Sequence, residues 1–172
     1  MISNTYRAGR HFLQVPGPTN IPDRILRAMD APCIDHRGPK FQELSKSILE
    51  RIKLIFKSSD PVVIYPSAGT GAMEASLVNT LNEGDKILMF ETGEFATQWA
   101  QAAKRFKLNV DFVPLDWRTG ADPIIVKEKL LADKNKEIKA VLITHNETST
   151  GIKSRVEEIR KAIDETNHPA LF

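Results

Sequence analysis

The sequence is poor in cysteine, in long apolar runs and in charge of one sign, and each shortage excludes a class of protein. Its 172 residues include one cysteine, Cys33, so no disulfide can form within the chain. No apolar run approaches the roughly 18 residues needed to span a bilayer, and the first twenty residues lack the apolar core of a signal peptide. The net charge is only +2, and no basic stripe suggests nucleic acid. We expect a soluble, cytoplasmic protein without a membrane or nucleic-acid partner.

Low-complexity segments and internal repeats are also missing, and the length fits one domain with a small appendage. The proline-rich stretch VPGPTNIP predicts an irregular arm over residues 1–22. A helix is expected from Asp23, and apolar residues three and four apart predict an amphipathic helix over 41–55. Strands are then expected at 61–67, 85–91, 109–115 and 138–145, alternating with helices at 71–81, 95–106, 123–133 and 155–166.

This alternation predicts an α/β fold with a mostly parallel sheet and helices on both faces. The closing segment ALF, residues 170–172, reads as the start of a further strand. Residues 23–172 are therefore expected to form part of one large domain that the chain leaves incomplete.

The most informative turn is PSAGTGAMEA, residues 66–75, between an expected strand and an expected helix. Small residues at a helix N-terminus favour an anion, because backbone N–H groups and the helix dipole point at it. Gly71 is not followed by the lysine of a Walker turn, and Glu74 stands where a dinucleotide turn has its third glycine. A Walker-type nucleotide site and a dinucleotide site are thus both disfavoured. A tight turn without a ligand stays as an alternative.

Four segments in order resemble the class V, fold type I pyridoxal-phosphate aminotransferases, in the serine–glyoxylate and alanine–glyoxylate branch. They are VPGPTNIP (15–22), DHRGPKF (35–41), PSAGTGAMEASLVNTL (66–81) and THNETSTG (144–151). The resemblance covers essentially the whole chain. It implies a fold type I large domain, pyridoxal phosphate as cofactor, no metal and a homodimer. It also allows a peroxisomal location if the source is eukaryotic.

The resemblance further implies a role for particular residues. Backbone N–H groups of Ala68, Gly69 and Thr70, with the Thr70 hydroxyl, would hold the cofactor phosphate. Phe95 would stack on the pyridine ring, where many relatives have tryptophan, and Thr148 would reach the ring's 3-oxygen. The substrate mouth would be lined by Pro16, Gly17 and Pro18.

No catalytic residue is assigned within the chain. The resemblance implies that the Schiff-base lysine, and the aspartate that faces the pyridine nitrogen, lie beyond Phe172. We therefore expect the N-terminal part of an enzyme that transfers an amino group from serine or alanine to glyoxylate. The alternative is an inactive fragment that binds phosphate or pyridoxal phosphate, or that only oligomerises. A cysteine desulfurase is disfavoured, because Cys33 lies in the wrong region for the catalytic thiol.

Two further side chains have structural and functional interpretations. Glu147 is expected to order its turn by accepting hydrogen bonds from backbone N–H groups rather than to transfer protons. Trp99, one helical turn after Phe95, is expected to pack in a core or an interface, and it is the alternative stacking residue.

Overall fold

The computed structural model describes residues 13–172, and it divides into two compact units, Met1–Pro66 and Ser67–Phe172. The predicted arm over residues 1–22 therefore lies partly outside the described residues. No helix within residues 13–172 combines the length and the apolar character that crossing a membrane requires.

Two helices form the described part of the first unit: α1 (Asp23–Met29) and α2 (Pro39–Phe56). Both were predicted, and α2 begins two residues earlier than expected. Pro39 occupies its first turn, where the missing N–H is not needed, and Lys57 ends it in the left-handed conformation. The peptide bond between Gly17 and Pro18 is cis.

The strand predicted at residues 61–67 is wrong. This segment forms no strand, and its backbone makes no ladder with another segment of the described chain. An apolar run favours burial, but here Val63, Ile64 and Tyr65 are exposed and no neighbouring strand supplies the ladder that a strand requires. Pro61 and Pro66 also each lack an N–H donor.

The second unit is built on a parallel sheet of β1 (Lys86–Phe90), β2 (Asn109–Val113) and β3 (Ile138–Leu142) in the order β2-β1-β3. All three strands were predicted. The segment 170–172 begins a further parallel pairing as predicted, because the Val141 N–H donates to the Leu171 carbonyl at 2.8 Å. The α/β fold class expected from the sequence is confirmed.

Four helices cover both faces of this sheet: α3 (Gly69–Thr80), α4 (Glu94–Arg105), α5 (Pro123–Ala132) and α6 (Val156–Asp164). Alternating side chains of β1 divide the core, since successive residues of a strand point to opposite faces. On one face Ile87 and Met89 pack with Leu77 of α3 and with Ala100 and Ala103 of α4. On the other face Leu88 and Phe90 pack with Val126 of α5 and Ile159 of α6.

A two-stranded antiparallel hairpin, β4 (Asn146–Glu147) and β5 (Ile152–Lys153), follows β3. The sequence predicted a turn here but not the hairpin. Gly151 takes φ 75°, a value that glycine adopts without steric cost. The hairpin carries residues 147–150 to the carboxyl end of the sheet, where α4 begins.

Candidate functional site

The helices α3 and α4 begin side by side at the carboxyl end of the sheet. A short loop joins α3 to β1 and another joins β1 to α4, so both helices run back along the strands on the same face. The indole Nε1 of Trp99 in α4 donates to the Met73 carbonyl in α3 at 3.2 Å. Gly69 lies one helical turn before Met73, and Phe95 lies one turn before Trp99. The two helix starts are therefore neighbours, and they lie at the carboxyl end of the strands, where open α/β sheets bind their ligands.

The first turn of α3 has unpaired donors. The Gly71 N–H bonds to the Ala68 carbonyl at 2.9 Å, whereas the N–H groups of Gly69 and Thr70 have no backbone acceptor among the described residues. The cap residue Ala68 supplies no side-chain acceptor. No atom lies within 4 Å of the point where a Gly69 side chain would begin, so the turn is open to a ligand. These donors and the helix dipole fit a phosphate group.

The first turn of α4 is capped by a carboxylate from the hairpin. Oε2 of Glu147 accepts the Ala96 N–H at 3.0 Å, and Oε1 accepts the Phe95 N–H at 3.3 Å. Oε1 also accepts the N–H of Ser149 at 3.1 Å and its hydroxyl at 2.7 Å. The side chain is buried, with 1% of the residue exposed. Glu147 thus orders its turn as the sequence predicted, and it also caps a helix 51 residues away.

Burial raises the pKa of the Glu147 carboxyl, but hydrogen bonds from Ser149, Ala96 and Phe95 outweigh burial and bring the pKa below its ordinary value. The carboxylate is therefore held in its charged form at neutral pH. A negative charge at a helix N-terminus is favourable because it faces the positive end of the dipole.

Three further contacts join the start of α4 to the β4–β5 hairpin, and the sequence did not predict them. We call this contact region the junction. The Ser149 Oγ accepts the Glu94 N–H at 2.9 Å, and the Thr150 hydroxyl donates to the Thr92 carbonyl at 3.2 Å. A side chain on Gly93 would place its Cβ 2.5 Å from Cγ of Glu147 and 2.6 Å from Oγ of Ser149. Glycine is required at position 93 because the hairpin lies directly against its backbone. No local pattern signals these partners, which are more than fifty residues apart.

The residues assigned from the resemblance fall in two groups. Ala68, Gly69 and Thr70 lie at the start of α3, and Phe95 lies half-buried in the first turn of α4. Thr148 is exposed in the hairpin turn between Glu147 and Ser149. These five residues share the carboxyl end of one sheet. Pro16, Gly17 and Pro18 belong to the other unit and are exposed.

Trp99 is not at the helix start. Its ring packs at the edge of the apolar cluster that contains Leu77 and Ala103, and its indole N–H is bound to α3. The expected packing role is confirmed. Within residues 13–172, no three His, Cys, Asp or Glu side chains group in a way that could hold a metal ion.

Comparison with known proteins agrees with this architecture. The profile of the family Aminotransferase class-V matches residues 11–171. A serine–glyoxylate aminotransferase of Methylorubrum extorquens is 48% identical over 98% of this chain and 42% of its own length. An L-aspartate–glyoxylate aminotransferase of Paracoccus denitrificans is 44% identical over 92% of this chain and 40% of its own length.

Solved structures show the same relationship. Ureidoglycine–glyoxylate aminotransferase from Bacillus subtilis superposes with a TM-score of 0.82 at 25% identity, over 98% of this chain and 42% of that one. An aspartate aminotransferase from Thermus thermophilus gives a TM-score of 0.81 at 25% identity, over 91% of this chain and 43% of that one. The chain spans about two fifths of the length of the relatives it matches. It belongs to the class-V aminotransferase family.

Proposed function

We propose that this chain is the N-terminal part of a pyridoxal-phosphate-dependent aminotransferase that transfers an amino group from serine or alanine to glyoxylate. The observation that carries the proposal is the open first turn of α3, whose N–H groups at Gly69 and Thr70 have no backbone acceptor among the described residues and lie beside the start of α4. The serine–glyoxylate activity named for the Methylorubrum extorquens relative supports the substrate class. The aspartate named for the Paracoccus denitrificans relative makes the amino donor the first property to measure.

When bound, pyridoxal phosphate supplies an electron sink that stabilises a carbanion at the substrate. The chain's own residues bind and orient it. Backbone N–H groups at Ala68, Gly69 and Thr70, with the Thr70 hydroxyl, take the phosphate. The phenyl ring of Phe95 stacks on the pyridine ring without the extra donor of an indole. The Thr148 hydroxyl donates to the ring's 3-oxygen.

The remaining parts of the proposal concern the rest of the enzyme. The tethering lysine is taken to lie outside these 172 residues, because none of the lysines here stands in the family's lysine motif. Residues 16–18 line the substrate mouth, and two copies of the protein associate. Sedimentation of the purified protein checks the dimer, and Pro18→Ala checks the mouth through the KM for glyoxylate.

The test uses the complete gene product that carries these 172 residues. We expect a visible absorption band of bound cofactor that borohydride bleaches, and turnover of glyoxylate with serine or alanine that exceeds turnover with aspartate. A protein with no such band refutes the proposal. A band together with a preference for aspartate refutes the donor and leaves the aminotransferase.

The alternative is a fragment that binds phosphate or cofactor without turnover, and it is favoured by one observation: the N–H groups of Gly69 and Thr70, which have no backbone acceptor among the described residues, both lie in the first turn of α3. The 172-residue chain alone, titrated with pyridoxal phosphate and with inorganic phosphate, tests it. Binding without transamination supports a fragment, and measurable transamination by this chain excludes it.

A further inference from the structure

Glu147 joins the two residues proposed to contact the cofactor ring, and neither the family match nor the relatives' names assign it a role. We infer that Glu147 is a positioning residue that holds the ring of Phe95 and the hydroxyl of Thr148 in one fixed arrangement. This inference rests on the proposed function.

The connection between the two cofactor contacts is short. The Phe95 N–H is bound to Oε1 of Glu147 at 3.3 Å, and Thr148 is the next residue along the chain. The Ser149 hydroxyl donates to the same Oε1 at 2.7 Å, and its oxygen accepts the Glu94 N–H at 2.9 Å. Glu94 and Ser149 are the sequence neighbours of Phe95 and Thr148. The segment that carries Phe95 is therefore hydrogen-bonded to the residues on both sides of Thr148.

Both oxygens of Glu147 are needed for this arrangement. Oε2 accepts the Ala96 N–H at 3.0 Å, and Oε1 accepts three donors from Phe95 and Ser149. A glutamine amide has one acceptor oxygen and one NH2 group. Its NH2 group would therefore face at least one of the N–H or O–H groups that now bond to Glu147. Only a carboxylate satisfies all four, and its charge also suits the helix N-terminus.

The same geometry separates positioning from proton transfer. The residue is 1% exposed, and both oxygens are occupied by donors from the protein. A general base must lie within hydrogen-bond reach of the proton it removes, and Glu147 has no exposed oxygen to offer. Its effect on the reaction is carried by Phe95 and Thr148.

The test compares Glu147→Gln, Glu147→Asp and the control Glu128→Gln in the complete gene product. Glu128 is exposed on α5, so its substitution makes the same chemical change away from the junction. For Glu147→Gln we expect amide exchange at Phe95 and Ala96 to quicken about tenfold, and the Kd for pyridoxal phosphate to rise about tenfold. The visible circular dichroism of the bound cofactor should change, because it depends on how the ring is held. Glu147→Asp should show a smaller change in each of these measurements. The control Glu128→Gln should leave amide exchange, the Kd and the dichroism as in wild type.

Kinetics separate a positioning role from general loss of structure. We expect kcat to fall by about tenfold in Glu147→Gln while the KM for the amino donor changes less than twofold. Faster amide exchange with an unchanged Kd, dichroism and kcat would show that Glu147 serves the fold alone and would overturn the inference. Unchanged exchange would overturn it as well.

A second variant covers the case in which Glu147→Gln does not fold. Ser149→Ala keeps the carboxylate and removes one donor to Glu147 and one acceptor for Glu94. We expect the Kd for the cofactor to rise about threefold, and an unchanged Kd refutes positioning. A wild-type protein that binds no cofactor would instead refute the proposed function itself.

Discussion

The backbone N–H of Ala96 donates a 3.0 Å hydrogen bond to Oε2 of Glu147, across 51 residues of sequence. The glycine that precedes α4 offers no side-chain cap, so a helix whose own sequence leaves its first N–H groups unpaired is completed by a distant hairpin. Because Ala96 follows Phe95 and Glu147 precedes Thr148 in the sequence, the same bond holds Phe95 and Thr148 close to each other.

The carboxylate of Glu147 should make stability depend on pH. Its pKa is below the ordinary 4.5 in the folded state, so its contribution is fully present above the unfolded pKa and is lost as pH falls through the folded pKa. We expect Glu147→Gln to lower the free energy of unfolding by about 1.5–3 kcal/mol at pH 7. The difference from wild type should shrink as the pH falls below about 4.5, as measured by urea unfolding. A difference that grows in acid would contradict the assignment.

Two glycine substitutions should have opposite consequences. Gly93→Ala forces a Cβ to within 2.5 Å of Glu147 and should lower the free energy of unfolding by about 1–3 kcal/mol. Gly69→Ala meets nothing within 4 Å and should leave stability unchanged or raise it by up to about 1 kcal/mol. The second variant should nevertheless weaken pyridoxal-phosphate binding if the proposed function holds, because the new methyl group would stand where the phosphate is proposed to approach the backbone. Chemical unfolding and cofactor titration of both variants check the pair. Unimpaired cofactor binding by Gly69→Ala would argue against the phosphate turn.

The stacking residue can be identified by comparing two aromatic substitutions in α4. Phe95→Leu removes a ring that is half-buried at the helix start, and we expect a threefold to tenfold higher Kd for the cofactor with little change in stability. Trp99→Phe removes the bond to the Met73 carbonyl and should cost about 0.5–1.5 kcal/mol of stability without changing the Kd. Cofactor titration and thermal unfolding of each variant decide the matter. The reverse result would make Trp99 the stacking residue.

A buried pair, Asp133 and His168, should stabilise the pairing of β3 with the segment at Leu171. Oδ2 of Asp133 accepts the Ile138 N–H at 2.7 Å and lies 3.3 Å from Nε2 of His168, whose Nδ1 accepts the Ala170 N–H at 3.2 Å. Asp133→Asn should lower the free energy of unfolding by about 1–3 kcal/mol and quicken amide exchange at Leu171.

The matched control for this pair is Asp164→Asn. Asp164 pairs with Arg160 on the surface, with 64% of its side chain exposed, and should contribute less than about 1 kcal/mol. Equal losses in the two variants would contradict a special role for Asp133.

Much of the fold could be predicted because its signals are local. Local sequence patterns located the six helices of residues 13–172, and short apolar runs located β1, β2 and β3 within three residues at each end. The failure at residues 61–67 has a physical cause: a strand needs a neighbouring strand, and the apolar side chains of Val63, Ile64 and Tyr65 are exposed rather than buried in the described part of the chain. No neighbouring strand pairs with this segment in the described part of the chain.

The candidate site also has features that depend on local sequence and features that depend on tertiary contacts. The start of α3 at Gly69 could be predicted because its small residues and the following helix are adjacent in sequence. That this turn binds phosphate stays a prediction. The contacts of Gly93 and Ser149 could not, because they depend on which hairpin the sheet brings beside α4. Glu147 was expected to bind N–H groups of its own turn, but the two it takes from α4 depend on tertiary structure.

The distant cap of α4 also sets an order of events during synthesis. At roughly 5–20 residues per second, a ribosome needs about 3–10 s to pass from Ala96 to Glu147, 51 residues later. Throughout that interval the first N–H groups of α4 must bond to water. The start of this helix is thus among the last parts of the second unit to become protected, and it does so only once β3 and its hairpin have left the exit tunnel.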